Sequence, residues 1–480
     1  MTVLTRGDDA PVRSLATRGR AFAPRLAIRN MAARIDAATP AGRDRSVDAL
    51  RALAIAGVIL GHWLVTALVL TRTPSGARLH DASPLAALPA LAPASWIFQT
   101  LAIFFFVGGY AAARSSASPG GRPPGPPELA GSARTRLRRA SPPRASGYLT
   151  WLRGRLSRLG RPVAVLVAVW VPLTATMALG GVSPGTIRTL VTLVLDPLWF
   201  LGVFAGLTAL TPLAEALVRR CGAAAALIPA AIVAAADLAR FGLGAPGWIG
   251  WVNVGAGWLV PYLLGIAWAR GALRGWKVPA VMLAAGAAGT AVLVTWAGYP
   301  ASMVGVNGAA ISNLNPPTLA AVNFGVAQVG LVLLLRPGLA RLMRRPLAWA
   351  AVALVNLSAM TLFLWHQSAF LAVTMIGALA GRVPGLLTPP SGAAWIAERL
   401  AWLPVFAATL AVAWLLFHRF ERRRRAGPRP AGERPAGPRP VGERPAGPAG
   451  GEVSPRPSSA APAARRAHPT AIRAGGCRTY

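Results

Sequence analysis

A chain of 480 residues that is 54% hydrophobic and only 14% charged is not an ordinary soluble domain. Charge vanishes over repeated windows of about twenty residues, the length that crosses a bilayer core, so the fold class is an all-α polytopic membrane protein. A formal net charge of +35 would suit a nucleic-acid binder, but the arginines sit in loops and termini between apolar runs, which makes anionic lipid headgroups the better partner.

Residues 1–46 carry Arg, Ala and Pro without a clean apolar period and read as a basic, mostly disordered arm. They hold no apolar segment of the signal-peptide kind, so insertion is expected to start with the first span. Ten apolar spans follow, at about 49–70, 93–113, 162–181, 196–217, 223–241, 251–270, 278–297, 318–336, 350–374 and 400–418, within a transmembrane domain over 47–420. Alternate loops are basic: the arm, the 114–161 loop, Arg219/Arg220, Arg270/Arg274/Lys277, Arg336 to Arg345, and the tail from Arg419. The loops between these are nearly bare, which places both termini in the cytoplasm, with the plasma membrane as the expected location. Residues 115–147 are rich in Pro, Gly and Arg and read as a cytoplasmic insertion. The tail over 421–480 repeats a ten-residue Ala-Gly-Pro-Arg-Pro-Ala/Val-Gly-Glu-Arg-Pro unit at 426–435 and 436–445, too polar and Pro-rich to bury a core. Cys221 and Cys477 have no spacing that suggests a disulfide framework or a metal, and no metal ligand set is expected.

The first span is the informative one. After Asp48, the apolar run from Ala49 to about Leu70 holds only two ionisable residues, Arg51 and His62. Eleven positions are three helical turns plus about 20°, so a guanidinium and an imidazole lie on one stripe roughly 16 Å apart, with Asp48 about 40° short of four turns from His62. Ionisable side chains at such depth point to function. In the second span, Phe104-Phe-Phe-Val107-Gly108-Gly109-Tyr110 combines aromatic rings with small residues that let helices approach closely. Ahead of the third, Arg153, Arg155 and Arg158 can share a face if the stretch is helical, and the planar guanidinium suits phosphate. Depth relates two histidines: counted from residues 49 and 350, His62 lies about 20 Å in and His366 about 24 Å in, so both can face one cavity.

These features together resemble the membrane-bound acyltransferase family 3, whose members O-acylate sugars and related hydroxyl compounds. An Asp-x-Leu-Arg entry with Arg, ten residues, then His resembles the family's first helix. Phe104 to Tyr110 resembles its Phe-Phe-x-x-Ser-Gly-Phe segment, with Gly108 in place of Ser. The Arg153–Arg158 stretch resembles the Arg-rich segment that helps hold the acyl donor, with Gly154 interrupting the usual Arg pair. Asp196-Pro-Leu-Trp199-Phe200-Leu201, Trp258 to Gly265, and Leu362-Phe-Leu-Trp365-His366 resemble later family segments, and Ser312 to Thr318 resembles one common in actinobacterial-type members.

The resemblance implies an integral-membrane O-acyltransferase that moves an acyl group, acetyl foremost, from acyl-CoA to a hydroxyl of a glycan, lipid-linked sugar or natural product. Acyl-CoA is then a co-substrate, and no bound cofactor is implied. Such transfer needs a base for the hydroxyl, a stabiliser for the oxyanion and a holder for the donor. Neutral imidazole can accept the proton, which assigns His62 as base, with Arg51 orienting it or steering the donor and Asp48 holding Arg51. The acyl-His route stays open. Arg153, Arg155 and Arg158 would meet the donor's phosphates, and His366, Trp199 and Tyr110 are pocket residues. The rival class is a multi-pass transporter or flippase, since buried ionisable residues also mark substrate pathways.

Overall fold

The computed structural model describes residues 26–74, 76–116, 145–306 and 308–421. The repeat tail from residue 422, the insertion over 117–144 and the arm over 1–25 lie outside the described residues. Among the described residues, ten helical segments are long and apolar enough to cross a membrane.

The first, α1 (Arg45–Val65), starts at an N-cap, Asp44, whose side chain accepts from the Ser46 N–H at 3.1 Å. It ends at Val65, because Thr66 turns extended at φ −97°, ψ 124°. The apolar run to Leu70, expected to continue the span, instead forms β1 (Ala67–Thr73), which pairs antiparallel with β2 (Gly76–Ala82). The physical reason is visible in Val65-Thr66-Ala-Leu-Val69-Leu-Thr71-Arg-Thr73, where β-branched residues alternate as a strand prefers. Buried Leu68, Leu70 and Leu79 pack the hairpin into the main core. A second departure precedes α1. Residues 26–37 are helical where an irregular arm was expected, and Asp36 receives a hydrogen bond from Arg45 at 2.5 Å.

After the 3₁₀ segment Pro89–Ile97 come α2 (Leu101–Ser116) and α3 (Ala145–Leu179). At 35 residues, α3 is about 52 Å long and exceeds the roughly 30 Å hydrocarbon core, so its arginine-rich first turns project beyond it. Then α4 (Pro184–Leu195) and α5 (Leu198–Ala209) make one broken span, and α6 (Thr211–Cys221) with α7 (Leu227–Asp237) the next. These boundaries replace the expected 196–217 and 223–241. The remaining elements are α8 (Val252–Ala269), α9 (Lys277–Thr295), α10 (Leu319–Leu342), α11 (Pro346–Leu357), α12 (Ala359–Leu379) and α13 (Ala393–Glu421).

The centre of the bundle is the crossing of α2 and α8. A Cβ at Gly109 would collide with the Tyr262 carbonyl, and one at Gly265 with the Phe106 carbonyl, so only glycine lets these backbones touch. Around that crossing, Phe105 stacks on Trp258 at 5.1 Å and meets Phe200 edge-on at 5.1 Å. The span expected over 350–374 is divided at Ser358 into α11 and α12. Its junction is held by Glu421, which accepts from the Met360 and Thr361 N–H groups, each at 3.1 Å.

Inter-helix contacts give the bundle two unlike ends. One end gathers the Asp44–Arg336 pair, the Asp48–Arg43 pair, and Arg155 donating to Ser115. At the other end lie the hairpin, the 383–392 segment bonded to it through Leu70 N–H and the Leu387 carbonyl, and the 297–318 segment, whose Ala301 carbonyl accepts from Trp96.

Candidate active site

His62 is the eighteenth residue of α1, close to the hairpin end. Half-buried, it lines a cavity of about 280 Å³ walled by α1, α4, α5, α12, the end of β2, the 98–101 stretch and the 297–318 segment. Its lining mixes aromatic rings, including Phe98, Trp199 and Phe363, with polar groups, including Gln99, Asp196 and Gln367.

Two neighbours from α12 fix the imidazole. Gln367 Nε2 lies 3.2 Å from His62 Nδ1, and the His366 ring lies 5.1 Å away, centroid to centroid. His366 is fully buried and donates from Nδ1 to the Phe363 carbonyl at 2.5 Å, which leaves Nε2 as a lone pair with no partner among the described residues. The two histidines do meet, but only His62 lines the cavity that both were expected to face, and the depth count from residue 350 crosses the break at Ser358. Counted from Ala359, His366 is only about 10 Å along its own helix. Trp63, next to His62, donates from Nε1 to the His366 carbonyl at 3.0 Å and ties α1 to α12 at the level of the pair.

Two buried polar side chains near His62 escaped the sequence reading. Gln367 is one; the run His366-Gln367-Ser368 inside an otherwise apolar span was its signal. Arg399 is the other. It is 1% exposed, on α13, and donates to the Trp63 carbonyl at 2.8 Å, to Gly385 at 3.1 Å and to the Thr66 carbonyl. It thus satisfies carbonyls at the C-terminal end of α1, which a helix leaves without partners. Its signal was weak: it follows Glu398 directly and falls just ahead of the expected 400–418 span, where a charged pair reads as an ordinary helix entry.

Arg51 and Asp48 stand elsewhere. Arg51 is eleven residues, roughly 16 Å, from His62 along α1 and makes no described hydrogen bond to it. It cannot orient the imidazole; Gln367 does. Asp48 does not clamp Arg51 as expected, because both its oxygens are taken by Arg43, at 2.6 and 3.0 Å. The charges acting on Arg51 are those of Asp48, Arg43, Arg158 and Glu421, and Arg155 feels both Arg158 and Arg51. Arg51, Arg155 and Arg158 thus share one cationic neighbourhood at the basic end. Within it, Arg155 donates to Ser115 Oγ at 2.7 Å and lies over the Trp151 ring at 5.1 Å, while Arg158 is exposed and donates to the Gly154 carbonyl at 2.9 Å. Arg153 is exposed and makes no described hydrogen bond.

Of the pocket residues, Trp199 lines the cavity beside His62. Tyr110 does not. It packs on Trp268 at 4.4 Å, under a ring that carries Arg336 at 5.3 Å, at the basic end. Among the described residues no group of three His, Cys, Asp or Glu side chains could hold a metal ion. A base held by an amide, a second imidazole with a free lone pair, and a cationic cluster three turns away can divide proton transfer from anion binding.

Residues 44–418 match the profile of acyltransferase family 3, described as an acyltransferase domain. No curated protein and no solved structure matches the chain.

Proposed function

Because the chain belongs to acyltransferase family 3, and is therefore a multi-pass membrane acyltransferase, we propose that it transfers an acyl group from acyl-CoA to a hydroxyl of a glycan, lipid-linked sugar or natural product. The observation that carries this reading is the placing of His62 in the wall of a polar and aromatic cavity, with Gln367 and His366 against it. The basic end faces the cytoplasm of a plasma-membrane protein, by the positive-inside rule, and the cavity opens toward the outer half.

In this reading the donor's phosphates bind Arg51, Arg155 and Arg158, whose planar forks suit them. The flexible pantetheine chain spans the roughly 16 Å along α1 to bring the thioester to His62. The acceptor lies against Trp199, with its hydroxyl on the imidazole. Turning the Gln367 amide by half a turn, which exchanges two atoms of similar size, lets Oε1 accept from His62 Nδ1–H. Oε1 otherwise has no partner. Nε2 is then the base. It takes the hydroxyl proton as the oxygen attacks the thioester carbonyl, and returns it to the departing thiolate. Gln99 Nε2, a buried donor in the same wall with no partner among the described residues, is available to the oxyanion.

His62→Ala is expected to lower transfer by about 10²–10⁴-fold, the usual worth of a general base, while membrane insertion and detergent-extracted yield stay intact. The measurement is mass-resolved transfer from labelled acyl-CoA to a panel of glycan and macrolide acceptors. Retained transfer in that variant would falsify the assignment.

A further inference from the structure

A second cavity, of about 160 Å³, adjoins the first. Val65 and Phe98 line both, so the two spaces share a wall just beyond His62. Their chemistry differs sharply. In the first, Gln99 and Gln367 present polar atoms without partners. In the second, each polar side chain of the lining already has a partner: Ser95 Oγ donates to the Ala92 carbonyl at 2.5 Å, Trp395 Nε1 to the Thr388 carbonyl at 3.0 Å, and the Arg399 guanidinium to the carbonyls of Trp63, Gly385 and Thr66. What remains toward the space is hydrocarbon, including Leu64, Leu85, Ile396 and Leu400.

We propose that this second cavity seats the acyl chain of the donor, and that it admits an aliphatic chain of up to about six carbons. The proposal rests on the acyl-CoA reading above and extends it. An apolar protein cavity of about 150 Å³ holds benzene, six carbons, so a space of 160 Å³ has room well beyond an acetyl methyl. Its position follows from the reaction. The thioester carbon must reach the imidazole, the acceptor hydroxyl takes the polar groups of the first cavity, and the chain on the carbonyl needs an apolar space within one turn of His62. Leu64 and Val65, two and three residues on, line such a space from the same helix, with Val65 and Phe98 bordering both cavities. The expectation of acetyl therefore narrows the donor more than these walls require.

The experiment measures dissociation constants of CoA and of acetyl-, butyryl-, hexanoyl- and decanoyl-CoA on the full-length protein in lipid nanodiscs. Affinity should rise about fourfold per methylene, the equivalent of about 0.8 kcal/mol for each buried CH₂, and stop rising near six carbons. Ala94→Phe, which adds a ring to the lining, should remove the gain of hexanoyl-CoA over that variant's own acetyl-CoA value. Leu85→Ala, which enlarges the space, should move the plateau to longer chains. If CoA and its short thioesters do not bind at all, the acyl-CoA reading itself fails. Should they bind with equal affinity at every chain length, the donor site stands and the chain pocket is overturned. A rise that continues past six carbons and ignores both substitutions is partition into the bilayer, which also overturns it.

Discussion

In the proposed transfer His62 is the base, and one amide sets the tautomer in which it is held. Gln367 reaches Nδ1 at 3.2 Å and sits one position after His366, so a single turn of α12 carries both neighbours of the imidazole. Gln367→Leu keeps the bulk and removes the hydrogen bond. It should lower kcat by about threefold to tenfold, the worth of one such bond, with KM for acyl-CoA unchanged. Gln367→Glu retains an acceptor for Nδ1–H and should recover most of the rate; steady-state kinetics on the two variants, with equal rates in both, would remove Gln367 from the positioning role. Sequence spacing found His62 because an imidazole eleven residues from an arginine stands out in an apolar helix. The same spacing suggested that Arg51 serves His62, which is where it misled. Sharing a stripe fixes direction around an axis, but a rise of about 1.5 Å per residue puts the two groups at different ends of the chemistry.

Among the elements, α1 depends most on its ends. Burial works to raise the Asp44 carboxyl, but the Ser46 hydroxyl and the Arg336 guanidinium at 2.8 Å outweigh it and hold the group below the usual carboxylate range. A lowered folded-state pKa means that Asp44 adds stability above the unfolded value of about 3.9, and that this is lost as pH falls through the folded value. Asp44→Ala removes cap and pair together and should destabilise the protein by about 1 kcal/mol at neutral pH. Asp44→Asn keeps the cap and should lose the part of the acid dependence that Asp44 contributes; thermal unfolding in detergent from pH 7 to pH 3 distinguishes the two, and identical curves for wild type and Asp44→Asn would show that the carboxylate is idle. The far end of α1 was harder to read. Hydropathy carried the span to Leu70 because a buried hairpin is as apolar as a helix, and only the alternation of β-branched residues from Val65 marks the change. The break at Ser358 was hidden for a similar reason: α11 and α12 are both apolar, and what marks the junction is a carboxylate at the end of α13, Glu421, capping α12.

Taken whole, the molecule separates its charges from its cavities. Arg51, Arg155 and Arg158 lie at one end, and the spaces beside His62 lie at the other. Arg155→Ala with Arg158→Ala should raise KM for acyl-CoA by about tenfold or more, as expected for lost charge-assisted contacts to phosphate, with a smaller change in kcat. Initial rates against donor concentration at low and high salt test this, since a true phosphate contact weakens with ionic strength; an unchanged KM would move the donor site elsewhere. The count of ten spans was legible because loop arginines and twenty-residue apolar windows are local signals. The division of labour was less so, because Trp199, Gln367 and the hairpin meet only in three dimensions. Arg399 shows what that closeness entails. Its guanidinium has no carboxylate partner among the described residues, and a bare cation is poorly tolerated by lipid. The oxygens it needs belong to Trp63, Thr66 and Gly385, so α13 carries its buried cation only where it packs on the end of α1. Drawing the two helices apart would strand that cation and loosen the turn that carries His62.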